Sequence, residues 1–228
     1  MKDKNRLRTA ENLMAELKAD PEFQRRRAEK EQRLACRQAE IAGLVEPIVK
    51  DLHQQGIDVK SIDKLVQHHA PLSAQVVQVL LHWLPRIQND RVKESLIRSL
   101  GAAKEPFEGK ELIDCFETDM SETLRWPIAN TIAEARPFGV ADWLVQAVRN
   151  PGSGTARQML VIALARLVPA GQAIPILLTL INDLPGHVAM AIGEIGGQPE
   201  RIVLQNYSGP LKGWELAEFA KAIKKLGR

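Results

Sequence analysis

The chain contains a ten-residue stretch that decides its fold: Val92-Lys93-Glu94-Ser95-Leu96-Ile97-Arg98-Ser99-Leu100-Gly101. The stretch ends in a small–apolar–small triplet, and triplets of the same kind recur at intervals of 32, 32 and 28 residues. The four triplets are Ser99-Leu100-Gly101, Thr131-Ile132-Ala133, Ala163-Leu164-Ala165 and Ala191-Ile192-Gly193. A period in this range, with apolar residues at helical spacing inside each unit, is typical of a solenoid of stacked helix pairs.

Alignment of the units on these triplets gives columns that define two helices in each unit. The second helix has two apolar columns, which consist of Leu96, Ile128, Leu160 and Val188, and of Leu100, Ile132, Leu164 and Ile192. The two columns lie four residues apart and therefore on one face of a helix. A first helix upstream is marked by Leu80, Leu112, Leu144 and Ile176. A further column holds Lys93, Arg125 and Arg157, with Pro185 in the fourth unit.

The quoted stretch resembles the second-helix signature of HEAT-like repeats, and residues 155–164 read the same way. The resemblance covers roughly residues 73–197. It implies an all-α, right-handed α-solenoid of about five to six helix pairs. Proteins of this family serve mostly as binding scaffolds, so the resemblance implies no enzymatic activity.

The regions outside these repeats are expected to be helical as well. Residues 1–40 are predicted to form a charged helical extension, in which Asp20 and Pro21 provide the N-cap and first residue of a helix. Residues 41–72 would form a degenerate first repeat and residues 198–228 C-terminal capping helices. The last helix should present a polar outer face through Lys221, Lys224, Lys225 and Arg228.

Composition and residue spacing indicate where the protein is expected to reside and which kinds of active site are not expected. The chain has no apolar run of ~18 residues, so no membrane-spanning helix is expected. The basic N-terminus leads into no hydrophobic region, and Cys36 and Cys115 lie far apart, which favours a cytoplasmic protein with reduced thiols. His68 and His69 are adjacent and so lack helical ligand spacing, and Ser153 lies in a glycine-flanked turn. We therefore predict no metal, no cofactor and no catalytic residue.

Charge is concentrated in the N-terminal extension. Residues 1–40 hold 11 Lys/Arg against 8 Asp/Glu, whereas residues 41–228 hold 20 of each. Nucleic acid is therefore an unlikely partner of the chain, because phosphate binding needs a broad face of net positive charge and the repeat region is neutral. The run Arg25-Arg26-Arg27 is interleaved with Glu22, Glu29 and Glu31, so ion pairs on an exposed helix are favoured over a nucleic-acid contact.

Two surfaces are candidates for binding another protein. The first is the outward face of the second helices, which is concave in HEAT-like arrays. Its predicted residues are Glu94, Arg98, Trp126, Asn130, Gln158 and Ile162. Trp126 is either an exposed hot spot or a side chain packed beside Pro127. The second is an acidic patch of Glu108, Glu111 and Asp114, whose spacing of three predicts one helix face and either a basic partner or simple solvation.

These features favour a non-enzymatic protein-binding scaffold. By analogy at the level of fold, the chain itself would serve as an immunity or antitoxin-type protein or as a regulatory partner. The alternative is a DNA-binding protein resembling the HEAT-like alkylpurine DNA glycosylases. Trp143 follows Asp142 and Trp126 follows Arg125, but the tandem-Trp-then-Asp arrangement of those enzymes is absent. The neutral repeat region also lacks a cationic groove.

Overall fold

A computed structural model describes residues 10–67, 71–118 and 122–227, without the side chains of residues 11, 12, 66 and 67. Within these residues the chain forms thirteen α-helices and no strand, which confirms the all-α prediction. The helices are divided between two compact units, with the boundary between Glu46 and Pro47.

The first unit contains α1 (Ala10–Ala19) and the larger part of α2 (Pro21–Gln54). Asp20 Oδ1 accepts the backbone N–H of Glu22 at 2.9 Å, and Pro21 is the first helical residue, as the sequence predicts. All residues from 25 to 40 are exposed to solvent. This part of α2 therefore has no buried face among the described residues.

The second unit contains the end of α2 and eleven further helices among its described residues. They are α3 (Asp63–Gln67), α4 (Ala74–Trp83), α5 (Asp90–Leu100), α6 (Lys110–Thr118), α7 (Glu122–Ala135), α8 (Ala141–Ala147), α9 (Arg157–Leu167), α10 (Ala170–Thr179), α11 (Pro185–Ile195), α12 (Gln198–Gln205) and α13 (Gly213–Lys225). Two 3-10 turns, Leu84–Arg86 and Pro151–Ala156, precede α5 and α9. The triplets lie in the last turns of α5, α7, α9 and α11, with Gly101 as the C-cap of α5.

The odd-numbered helices of this unit pack on one another in chain order. Helix α3 contacts α5, α5 contacts α7, α7 contacts α9, α9 contacts α11, and α11 contacts α13. Both apolar columns of the second helices have zero exposure at all eight positions. Thr131, from the second triplet, donates its hydroxyl to the Ile97 carbonyl of the preceding helix at 2.9 Å. Thr131 therefore links the second triplet to the preceding second helix, within the buried contact of α5 with α7.

The contact between α11 and α13 depends on a glycine. A Cβ atom added to Gly186 would lie 2.4 Å from two ring atoms of Trp214. The indole of Trp214 also meets the ring of His187 edge to face, with centroids 5.1 Å apart. Gly186 thus allows the Trp214 ring to lie directly on the α11 backbone.

The outer face of α13 differs from the expected polar cap. Lys221, Lys224 and Lys225 are exposed as predicted, and Arg228 lies outside the described residues. Leu216, however, is 56% exposed, because α13 buries only the narrow face of Glu215, Phe219 and Ala222. The cap therefore mixes apolar and charged side chains. No helix of the described chain has the length and apolar character needed to cross a bilayer.

Candidate binding surface

The outward face of the second helices brings together three side chains of α5 and α7. Glu94 and Arg98 form an ion pair within α5 at 2.8 Å. The Arg98 guanidinium also lies over the Trp126 ring of α7, 6.0 Å from its centroid. At this distance the cation is attracted to the negative face of the indole. The three residues thus form a cluster that joins two successive helices, and we call it the Trp126 cluster.

Trp126 is half-buried, so part of its ring is packed and part is open to solvent. Its neighbour Pro127 is buried within α7, which continues through it to Ala135. Asn130 on α7 and Gln158 on α9, two further residues of the predicted face, are also half-buried. The face therefore presents a partly open aromatic ring together with amide groups that can donate and accept hydrogen bonds.

Ile162 does not belong to this surface, contrary to the prediction. Its side chain is only 2% exposed. Helix α9 has α7 on one side and α11 on the other, and its entire run from Leu160 to Ala165 is buried. An aliphatic side chain in that setting is removed from water, which is favourable. The equivalent position on α11 is Met190, which is 39% exposed and extends the outward face there.

Two arginines of the cation column, Arg125 and Arg157, join successive helix pairs. Arg125 donates from Nη1 to the Gly152 carbonyl at 2.9 Å, and its guanidinium lies 5.6 Å from the Phe116 ring centroid. Arg157 donates from Nε to the Val148 carbonyl at 3.0 Å and from Nη2 to Asp183 at 3.2 Å. Each arginine thus reaches the turn that precedes the next second helix. These side chains have a structural role and are not part of the binding surface.

A second set of charges, which the sequence analysis missed, ties three helices together. Arg166 on α9 forms a bidentate pair with Glu194 on α11, with both N···O distances 3.0 Å. Its Nη1 donates to Glu134 on α7 at 2.9 Å and to the Ala133 carbonyl at 3.1 Å. We call this set the Arg166 clamp. The signal was present in the sequence, because the position after each triplet reads Ala102, Glu134, Arg166 and Glu194.

The clamp shifts the titration of its members. The hydrogen bond from Arg166 lowers the pKa of the Glu194 carboxyl below its ordinary value, although burial acts in the opposite direction. The same hydrogen bond raises the pKa of the Arg166 guanidinium. Both shifts favour the charged forms, so Arg166 and Glu194 are ionised at neutral pH.

The acidic patch is smaller than the spacing predicted. Glu108 precedes α6, which begins at Lys110, so it does not share a helix face with Glu111 and Asp114. The reason is that Phe107 and Gly109 pair through their backbones with Phe138, at 2.9 Å in both hydrogen bonds. Asp114 forms an ion pair with Lys110, which raises the pKa of that lysine. Glu108 remains exposed and Glu111 is half-buried.

The residue types that commonly bind metals do not cluster in the described part of the chain, and Ser153 has a structural role. No cluster of His, Cys, Asp and Glu with the geometry of a metal site occurs among the described residues, which exclude His68 and His69. Burial lowers the pKa of His187, with Glu215 and Glu218 acting in the opposite direction. Ser153 is buried in its 3-10 turn and donates its hydroxyl to the Ala147 carbonyl at 2.8 Å. It is therefore a structural turn residue.

Comparison with known proteins gave no match to a family model, a curated protein or a solved structure.

Proposed function

We propose that the chain is a right-handed α-solenoid of HEAT-like repeats that acts as a protein-binding scaffold. The observation that carries the proposal is the Trp126 cluster, a partly open indole held under Arg98 on the outward face of α5 and α7. The ordered packing of α3, α5, α7, α9, α11 and α13 supports the solenoid arrangement. Each helix contacts its neighbours in the series, as solenoid repeats do.

The Trp126 cluster has the properties of a binding hot spot. An indole buries a large area at a small cost in side-chain entropy, and Arg98 already restrains this one. Asn130 and Gln158 would supply hydrogen bonds around it, where partial solvation limits their individual contributions. The contact surface that we assign therefore has one aromatic centre with Glu94, Arg98, Asn130 and Gln158 at its rim.

The charge of this region favours a basic protein partner. Glu105 and Glu108 are exposed and Glu111 is half-buried. Of these three acids and Asp114, Asp114 is the one with a described ion pair, which it forms with Lys110. Negative charge of this kind accelerates association with a positively charged protein at low salt. A basic toxin bound by an immunity or antitoxin-type scaffold would have the required chemistry.

The proposal can be tested by affinity capture with the full chain as bait. Wild type, Trp126→Ala and the matched control Trp143→Ala would be compared by quantitative mass spectrometry. Trp143 is also half-buried but lies on the first helix α8, where its Nε1–H donates to Glu117 at 2.7 Å. We expect a partner that both wild type and Trp143→Ala retain and that Trp126→Ala loses, because truncating a hot-spot aromatic costs about 2 kcal/mol or more.

The thermal stability of each variant decides how a loss is interpreted. Equal melting temperatures for wild type and Trp126→Ala would assign the loss to binding. Unchanged capture by Trp126→Ala with a lowered melting temperature would place the indole in the core and contradict the proposed surface. Capture of the same proteins by all three baits and by an unrelated bait would contradict the scaffold function itself.

A further inference from the structure

The exposed part of α2 has an unusual combination of exposure and charge. All sixteen residues from 25 to 40 are exposed with respect to the described part of the chain, over about 24 Å of helix. Six of the sixteen side chains are cationic and three are acidic. The excess of three positive charges in this segment equals the net charge of the whole chain, which is +3.

Ion pairs neutralise one half of these cations. Arg25 pairs with Glu29 at 4.0 Å, Arg26 pairs with Glu22, and Arg27 pairs with Glu31 at 2.8 Å. The arginine run is thus the compensated part of the segment, in agreement with its pattern of interleaved acids.

The other half, which consists of Lys30, Arg33 and Arg37, forms no ion pair within the described part of the chain. Arg33 donates from Nε to the Glu29 carbonyl at 3.3 Å, which leaves its charge uncompensated. Spacings of three and four residues place all three cations on one side of the helix, over about 10 Å of its axis. We call this side the α2 basic face.

We infer that the α2 basic face binds the phosphate backbone of duplex nucleic acid without regard to sequence. Three cations in a row match a polyanion whose charges repeat along each strand, and the release of counterions drives such binding. The major groove, about 12 Å wide, admits an α-helix, and residues 25–40 of α2 are exposed to solvent. This inference is independent of the protein-binding surface proposed above.

The composition of the segment favours nucleic acid over a lipid surface. A helix that lies in a membrane interface needs a broad apolar face. Leu34 is the single large apolar residue between positions 25 and 40. Residues 41–228 carry equal numbers of cations and acids, so the binding should depend on the extension alone.

Fluorescence anisotropy with a labelled DNA duplex of about 20 base pairs and mixed sequence would test the inference over about 50–200 mM salt. The test variant is Arg33→Gln/Arg37→Gln. The matched control is Arg25→Gln/Arg27→Gln, which removes the same charge from compensated positions outside the α2 basic face; Arg26, four residues before Lys30, lies on that side of the helix and is left unchanged. Circular dichroism would establish that both variants keep their helix content.

We expect wild-type affinity to fall with salt with a log–log slope of about −2 to −3, as release at three phosphates predicts. The test variant should lose about tenfold in affinity at the lowest salt, and the control less than about threefold. Equal losses in both variants would overturn the assignment to this face. The inference would also fail if wild type did not bind the duplex, whether or not it bound anionic lipid vesicles.

Discussion

Helix α9 and the exposed part of α2 are both helical, but they are stabilised by different interactions. Six consecutive residues of α9, from Leu160 to Ala165, are buried between neighbouring helices. Residues 25–40 of α2 are all exposed, and the described contacts there are ion pairs and hydrogen bonds within the helix itself. Burial of apolar side chains stabilises the first strongly, whereas exposed pairs four residues apart contribute only a few tenths of a kcal/mol each. The comparison shows that an α-helix can be stabilised either by packing against other helices or by ion pairs along its own surface.

The largest difference between the two regions should appear when one leucine is truncated in each. Leu160 has zero exposure, whereas Leu34 is 47% exposed. We expect Leu160→Ala to lower the free energy of unfolding by about 2–5 kcal/mol, because it leaves a cavity in the core. Leu34→Ala should change it by less than about 0.5 kcal/mol. Urea denaturation followed by circular dichroism measures both, and a small effect of Leu160→Ala would break the register on which the repeats are aligned.

A smaller difference is expected between arginines in the two settings. Arg166 is 20% exposed and bonds to two carboxylates and a carbonyl, whereas Arg27 is 54% exposed and pairs with Glu31. Arg166→Met should cost about 1–3 kcal/mol, because partly buried partners lose charged hydrogen bonds. Arg27→Met should cost at most about 0.5 kcal/mol. Equal costs in urea denaturation would show that the Arg166 clamp contributes no more than an ordinary surface pair.

The smallest effect concerns pH. Because the folded pKa of Glu194 lies below its value in the unfolded chain, its carboxylate stabilises the fold above about pH 4.5 and loses that effect as the pH falls through the folded pKa. Glu194→Gln should therefore be less stable than wild type at pH 7, by roughly 1 kcal/mol, and the difference should shrink at acidic pH, as the Glu194 carboxyl becomes protonated.

Denaturation curves at both pH values measure this change. Glu31→Gln, at the exposed pair with Arg27, is the control and should show little difference from wild type at either pH. A gap between Glu194→Gln and wild type that persists at acidic pH would mean that the glutamine is destabilising for a reason other than lost charge.

The helices and much of the core could be predicted from the sequence, because helical periodicity reports directly on which side chains are buried. The columns that contain Leu96 and Leu100 are fully buried in all four aligned repeats. Asp20 with Pro21 marks the start of α2. Both are local signals. They depend on residues within one or two turns of each other and not on the arrangement of helices.

The candidate site was less predictable, since it depends on what lies across from each side chain. The column that contains Arg98 and Asn130 is exposed or half-buried on α5 and α7, but its member Ile162 is buried on α9. The position of Glu108 depends on backbone pairing with Phe138, some thirty residues away. The Arg166 clamp required knowing that positions on three successive helices meet. Spacing within one helix carries none of this information.

The Arg166 clamp also constrains how such a chain can gain or lose units during evolution. Its charges alternate from one helix pair to the next: negative at Glu134, positive at Arg166 and negative at Glu194. Loss of the single pair α8–α9 by recombination would leave two carboxylates facing each other, and like charges in contact repel. Duplication of the two pairs from α8 to α11 would preserve the alternation, because Arg166 and Glu194 would be copied together. Such a chain is therefore expected to lengthen more readily by two helix pairs than by one.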